Sequence, residues 1–367
     1  MNQQRIKLLY ATSLTYPSQF ANRLQIAAMA REFQKLLGEN FTLGTLAVSP
    51  EFPYETPRVM GNEFGSFSAK SLVLGLRYVL LIQKEHFTHV FIREEKLFCM
   101  LRLYALVLAP HTKFYFEAHT ASGFFTRLSA RLADGVVAIT EGVRTDLRKA
   151  GVRTPILIAA DGVDLARFVG LPDQASARAA LGLPKDKKIV LYVGSFDLYH
   201  SWKGVDVLLE ASLGADLDWL TVLVGGRPDE IARLRERFPA SKALLKEYCA
   251  PSDVPMYLRA ADMLVIPNKK GSLLSERYTS PLKLFEYMGS GVPIVASDLP
   301  SIREVLDDTQ AYFFEANNPE ALRTAIRQAL GEPQEAKRRA DRAYALLPNY
   351  TWEARAKSIL SFISGGS

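Results

Sequence analysis

The feature that most restricts this chain is an alternation, made twice, of short apolar runs with longer amphipathic stretches. Strand-like runs fall at residues 6–11, 41–48, 89–92, 113–117, 135–139 and 155–159, most of them separated by helical stretches. Between residues 20 and 37, for example, Leu24, Ala27, Ala28, Phe33 and Leu36 mark one helical face. A second series begins at residue 189, with runs at 189–193, 220–224, 243–248, 263–267, 292–296 and 311–314. Apolar runs of this kind belong to strands buried on both faces, and strands joined through helices run parallel. The expectation is an α/β chain of two doubly wound, Rossmann-like domains with a crevice between them. Its 367 residues exceed one ordinary core and suit two such domains. The first is expected over residues 1–168 and the second over 169–349. The polar, proline-bearing stretch LPDQASARAALGLPKDKK reads as the crossing, and SIRE, with Ser301 and Glu304, reads as a capping box.

Composition removes several classes of function. Two distant cysteines, Cys99 and Cys249, without metal-ligand spacing, argue for a reducing compartment. The start, MNQQRIKLLYATS, lacks the apolar core of a signal peptide, so a cytoplasmic location is expected. The apolar runs at 72–82 and 97–109 are interrupted by Arg77 and Arg102 and are shorter than the ~20 residues of a membrane span. They read as packed helices of the first domain, with a membrane-surface face as the alternative. A net charge of +6 favours anionic partners, phosphorylated substrates or an acidic membrane face, but forms no clustered stripe for nucleic acid. There is no G-x-G-x-x-G, Walker loop or H-E-x-x-H. Asp216 and Asp218 have D-x-D spacing, but they lie before a strand rather than after it, and no metal site is expected.

Ligands of open α/β sheets bind beyond the carboxyl ends of the strands, so the loops there carry the chemistry. One stretch, YTSPLKLFEYMGSGVPIVAS from Tyr278 to Ser297, is the most informative. Ser280 reads as a helix cap and Pro281 as the first helical residue. The free N–H groups of Leu282 and Lys283 then face outward, an anion site to which the Lys283 ammonium adds charge. Glu286 lies about a turn deeper, where a carboxylate accepts hydrogen bonds from a sugar diol. The glycine-bounded loop GSFDLYHSWKG offers Gly194 for close backbone approach and Lys203 as a point charge for phosphate. Gly225 and Gly226 close a further strand, and His119 ends the strand-like FEAHT.

SPLKLFEYM followed by GVPIVASD resembles the nucleotide-sugar motif of retaining glycosyltransferases of family 4, which have the two-domain GT-B fold. The resemblance covers nearly the whole chain and is strongest from Gly194 to Leu306. It implies a sugar moved from a nucleotide-diphosphate donor to a glycan, lipid-linked or small-molecule acceptor, with retained configuration and no metal or other cofactor. It further implies cell-envelope polysaccharide biosynthesis, at the inner face of the membrane or in the cytoplasm, with no nucleic-acid partner. Lys203 is implied to grip the diphosphate and Glu286 the ribose. His119, preceded by Glu117, is implied to contact the donor sugar. Gly194, Ser195, Gly225, Gly226, the backbone around Ala250, and Tyr278, Thr279, Ser280, Pro281, Leu282 and Lys283 are implied to surround the nucleotide. Ser18 is implied to cap a helix that faces the phosphates, and the terminal helix at 350–367 to pack on the first domain. Two positions depart from the family pattern: Ser195 stands where an arginine is usual, and Tyr278 where a glutamate is usual. His200, Lys269 and Lys270 are the candidates to replace the arginine. A nucleotide-sugar epimerase of the same architecture and a non-catalytic nucleotide-sugar-binding protein are the alternatives.

Overall fold

Each of the strand-like runs of the two series contains a strand, and every pairing between those strands is parallel. The computed structural model describes residues 6–13, 21–46, 58–60, 67–198, 201–214 and 217–365. The chain divides into a unit of Met1–Asp161 with Trp352–Ser367 and a unit of Gly162–Thr351.

The first unit holds β1 (Leu8–Ala11), β2 (Phe41–Thr45), β3 (Arg58–Val59), β4 (His89–Ile92), β5 (Lys113–Ala118), β6 (Gly135–Ala138) and β7 (Ile156–Ile158) in the order β3-β2-β1-β4-β5-β6-β7. The chain starts mid-sheet, moves to one edge, then returns past β1 to build the other side. β1 and β4 are buried along their whole length, as expected of strands covered by helices on both faces. The helix Trp352–Ile363 belongs to this unit: the Tyr115 hydroxyl donates to the carbonyl of Ile363 at 3.1 Å, and Phe362 packs edge-on against the Tyr115 ring. The runs at 72–82 and 97–109 lie in the helices Phe67–Glu85 and Glu95–Leu108, which pack on each other and, through the second, on Phe124–Leu132. Their outer faces nonetheless expose Val73, Leu76, Leu80, Leu103, Leu106 and Val107, the last at 81%.

The second unit holds β8 (Lys188–Val193), a small antiparallel hairpin of β9 (Asp197–Leu198) and β10 (Ser201–Trp202), then β11 (Trp219–Gly226), β12 (Leu244–Glu247), β13 (Met263–Ile266), β14 (Ile294–Ser297) and β15 (Tyr312–Phe314). Its main sheet has the order β12-β11-β8-β13-β14-β15. The core side chains Val190, Tyr192, Val205, Leu208, Leu223, Val265 and Val295 join the sheet to its helices. Strand order reverses at β8, which lies between β11 and β13; the loops leaving these strands form the switch point at which such sheets bind ligands.

Three sequence expectations need correction. The stretch read as a domain crossing contains the helix Gln174–Leu181, capped by Asp173, and lies inside the second unit. Residues 162–168, given above to the first domain, also fall in that unit: Val163 N–H donates to the Tyr350 carbonyl at 2.9 Å, and Phe168 packs on Gly289. The capping box at Ser301 and Glu304 does not form. Pro300 takes the first helical position after Leu299, so Ser301 is already inside the turn and its hydroxyl donates to the Ser275 carbonyl at 3.0 Å.

Candidate functional site

In the second unit, β8 delivers the chain to Gly194, whose N–H donates to the Val224 carbonyl of β11 at 2.9 Å. Gly225 follows at φ +115, and a Cβ there would stand 2.6 Å from the Gly194 carbonyl oxygen, so the two loops touch backbone to backbone. The β9–β10 hairpin folds back so that Lys203 N–H donates to the Phe196 carbonyl at 2.8 Å. Gly204, at φ +85, then presses on the end of β13, where any Cβ would fall 1.6 Å from the Pro267 carbonyl oxygen. These close approaches set Lys203, half-buried, among the ends of β8, β11 and β13. Ser195 turns inward, its hydroxyl donating to the Asp197 carbonyl at 2.6 Å.

The helix of the SPLK string runs Leu282–Ser290 and ends at Gly291 in the left-handed conformation. Its N-cap is Pro281, with extended ψ of 116°, and no side chain caps it; the expected cap at Ser280 is therefore corrected. Lys283 in the first turn donates to the Tyr192 hydroxyl at 2.9 Å, its ammonium 4.5 Å from the ring centre, and that hydroxyl donates to the Ser195 carbonyl at 2.8 Å. Burial, then the charge of Lys203, lowers the Lys283 ammonium well below its ordinary pKa, against Glu286. Burial likewise lowers Lys203, against Asp197 and Glu230. Two ammonium groups are thus drawn together beside a helix start, and neither forms an ion pair among the described residues. Lys269 is committed elsewhere, 2.7 Å from Asp206, and Lys270 is exposed. Lys283, with Tyr192 beneath it, is a second cation near Lys203; His200 and Ser18 lie outside the described residues.

Glu286 projects one turn on, its Oε1 accepting from Arg167 Nη1 at 2.6 Å. Arg167 Nη2 also donates to the carbonyl of Pro251, in the segment after β12 that includes Cys249 and Ala250. Burial raises the Cys249 thiol, and Asp253 and Glu286 add to it, so this loop and the carboxylate are neighbours. Tyr278 is buried at the end of the turn Leu274–Tyr278, and Thr279 donates to the Leu274 carbonyl at 2.5 Å. Glu276, two residues before Tyr278, accepts from Gly271 N–H at 2.6 Å and so holds its own loop. Among the described residues no three His, Cys, Asp or Glu side chains gather as metal ligands. Asp218 stands just ahead of β11, and Asp216 lies outside the described residues.

In the first unit, His119 follows β5 with about a fifth of its side chain open to solvent. Its Nε2 stands 2.6 Å from Glu117 Oε1. The Gln25 amide donates to the same Oε1 at 2.8 Å and to Asp161 Oδ1 at 2.7 Å, while its own oxygen accepts from Arg93. Arg355, from the terminal helix, places Nη2 3.3 Å from Glu117 Oε1 and donates through Nε to the Ala159 carbonyl at 3.3 Å. Burial alone would raise Glu117, but Arg355, the His119 hydrogen bond and Arg93 hold it well below the usual carboxylate range. Burial, then Arg93, lowers His119 to about 4 against the pull of Glu117. Asp161 rises to about 6 through burial and Glu117, against Arg355 and Arg93. At neutral pH the imidazole is therefore neutral, Nε2–H donates to Glu117, and Nδ1 keeps a lone pair able to accept from a hydroxyl.

Arg355, Arg167 and Tyr192 were not singled out from the sequence. Arg355 left a signal: it falls on the buried stripe of its helix with Trp352, Ala356, Ile359 and Ile363, where an unpaired arginine is costly. Arg167 and Tyr192 left none, one in a short turn beside the half-buried Phe168 and the other within a core strand.

Two parallel sheets in these strand orders, the second with a lysine-lined helix start at its switch point, are those of the GT-B fold. The model of the family described as Glycosyl transferases group 1 matches residues 187–332, which lie within the second unit. D-inositol 3-phosphate glycosyltransferase of Kineococcus radiotolerans is 26% identical over 62% of this chain and 56% of its own length. Phosphatidyl-myo-inositol mannosyltransferase of Mycobacterium leprae is 28% identical over 55% and 53%. The chain thus spans about half the length of the curated relatives it matches. Among solved structures, Anabaena HepE in complex with UDP matches with a TM-score of 0.78 over 98% of this chain and 100% of that one, at 16% identity. At such identity the likeness is one of fold.

Proposed function

We propose that this protein transfers a sugar from a nucleoside-diphosphate sugar to an acceptor hydroxyl, with retained anomeric configuration and without a metal ion. The observation that carries this reading is the pair Lys203 and Lys283, lowered by burial beside a helix start, with Glu286 a turn deeper. A diphosphate supplies the negative charge that two close ammonium groups lack, and a ribose diol suits the carboxylate behind them. That HepE was solved with UDP supports the same class of ligand. In the proposed reaction the bond from the anomeric carbon to the diphosphate oxygen breaks, and its electron pair stays on phosphate. The acceptor oxygen bonds to that carbon on the same face and passes its proton to the leaving phosphate. Fixed positive charge stabilises the departing diphosphate, and neutral His119 offers Nδ1 to a sugar hydroxyl. Lys203→Ala tests the assignment by titration calorimetry. It is expected to weaken a nucleoside diphosphate about ten-fold or more and the matching nucleoside by less than about three-fold. Equal weakening of both would remove Lys203 from the phosphates.

The acceptor is proposed to be a sugar or polyol, free or lipid-linked, as the names of the two curated relatives support. The cytoplasm, at the inner face of the membrane, is the proposed location, and envelope polysaccharide synthesis the proposed process. The helices Phe67–Glu85, Glu95–Leu108 and Phe124–Leu132 carry seven arginines and lysines against two glutamates, beside their exposed Leu, Val and Phe side chains. That combination suits an anionic lipid surface, and no described helix is long and apolar enough to cross a bilayer. The protein is expected to sediment with phosphatidylserine-containing vesicles at low salt and to be released at about 0.5 M salt. Equal recovery with pure phosphatidylcholine vesicles would contradict an electrostatic contact.

A further inference from the structure

Arg167 lies on the short turn Leu165–Phe168, whose start is fixed by Asp164 accepting from Ala166 N–H at 3.1 Å. The turn sits directly on the candidate nucleotide helix: a Cβ added at Gly289 would stand 3.1 Å from the Phe168 ring. From this footing the guanidinium reaches two acceptors that belong to different elements, Glu286 Oε1 on the helix and the Pro251 carbonyl after β12. Its planar fork suits such a bridge, since each Nη aims a donor in a fixed direction. Among the described residues Glu286 Oε2 has no hydrogen-bond partner. A glutamate with two free oxygens samples several rotamers; one with Oε1 held presents Oε2 in one direction.

We propose that Arg167 is a positioning and specificity residue. By pinning Glu286 to the loop at Pro251, it aims the free oxygen Oε2 at a ribose hydroxyl and makes the site select ribonucleotides over deoxyribonucleotides. The inference rests on the reading of Glu286 as the ribose carboxylate. Arg167 contributes orientation rather than contact with the reacting atoms. Its loss therefore acts on the ribose preference and leaves phosphate affinity nearly unchanged.

The test is calorimetric titration of UDP, GDP and ADP, each beside its 2′-deoxy and 3′-deoxy forms. The proteins are the wild type, Arg167→Met, Arg167→Lys and Glu286→Gln, with melting temperatures recorded for each. The wild type is expected to prefer ribose over at least one deoxy form by about ten-fold, the weight of one hydrogen bond to a charged group. Arg167→Met should reduce that preference to about three-fold or less while keeping deoxynucleotide affinity within about three-fold. Arg167→Lys, which keeps the charge but not the fork, should restore only part. Wild-type preference retained in Arg167→Met, full recovery in Arg167→Lys, or tighter ribonucleotide binding in Arg167→Met would each overturn the proposal. The last would show a competing plug instead of a brace. Glu286→Gln separates the two levels: if it keeps the full preference, or if the wild type binds none of the three nucleotides, the ribose reading itself fails. Loss in Glu286→Gln with no change in Arg167→Met removes only Arg167.

Discussion

Replacing Arg355 by methionine is expected to cost the first unit about 3–5 kcal/mol, the cost of stranding one member of a buried ion pair. Methionine keeps much of the side-chain length, so packing in the Trp352–Ile363 helix changes little. What is lost is the positive charge 3.3 Å from Glu117 Oε1, in a place where the glutamate is fully buried. Glu117 stays ionised in the wild type because Arg355, His119 and Arg93 together overcome its burial. The sign of the pH dependence follows. In the wild type the folded pKa of Glu117 lies below its unfolded value, so its contribution is present above the unfolded pKa and is lost on acidification. In the variant both Glu117 and Asp161 lose a lowering influence and take up protons more readily in the folded state. The deficit of the variant should therefore be largest at pH 8 and shrink toward pH 5. Thermal melts of both proteins at the two pH values measure this. An equal deficit at both would mean that packing, not charge, is what Arg355 supplies.

The sheets were legible because strands buried on both faces must be apolar throughout, a signal confined to a few consecutive residues. Runs such as 89–92 and 263–267 therefore became β4 and β13 with little change of boundary. Helix starts were less legible where proline and serine compete for one role. Serine before Pro281 suggested a cap, yet Pro281 itself is the N-cap; Ser301 suggested another, yet Pro300 had already opened the helix. At the site, Lys203, Lys283 and Glu286 were legible from local strings. Their supports were not, because Tyr192, Arg167 and Arg355 act across 91, 119 and 238 positions of sequence. No local pattern reports such a pairing. Lys269 shows the converse: a lysine at a plausible place is held by Asp206 for structural reasons.

His119→Ala is expected to lower donor turnover about 10²-fold while nucleoside-diphosphate affinity changes by less than about three-fold. The nucleotide is proposed to be held by Lys203, Lys283 and Glu286 of the second unit, whereas His119 belongs to the first. The imidazole is proposed to meet the sugar only as charge develops at the anomeric carbon, so its loss affects the rate rather than nucleotide binding. His119→Asn, which also leaves Glu117 a donor, should preserve the fold and lose rate nearly as far. A loss of rate explained by a fall in melting temperature would make the histidine structural. The same assay decides the central claim, that this is a retaining, metal-independent glycosyltransferase. UDP-, GDP- and ADP-hexoses are incubated with the wild-type protein, an inositol phosphate or lipid-linked acceptor, and excess EDTA, and proton NMR follows the anomeric signals. The account predicts release of one nucleoside diphosphate and first appearance of a glycoside with the anomeric configuration of its donor. An inverted product, activity that needs Mn²⁺ restored, or a donor bound but never consumed would contradict it.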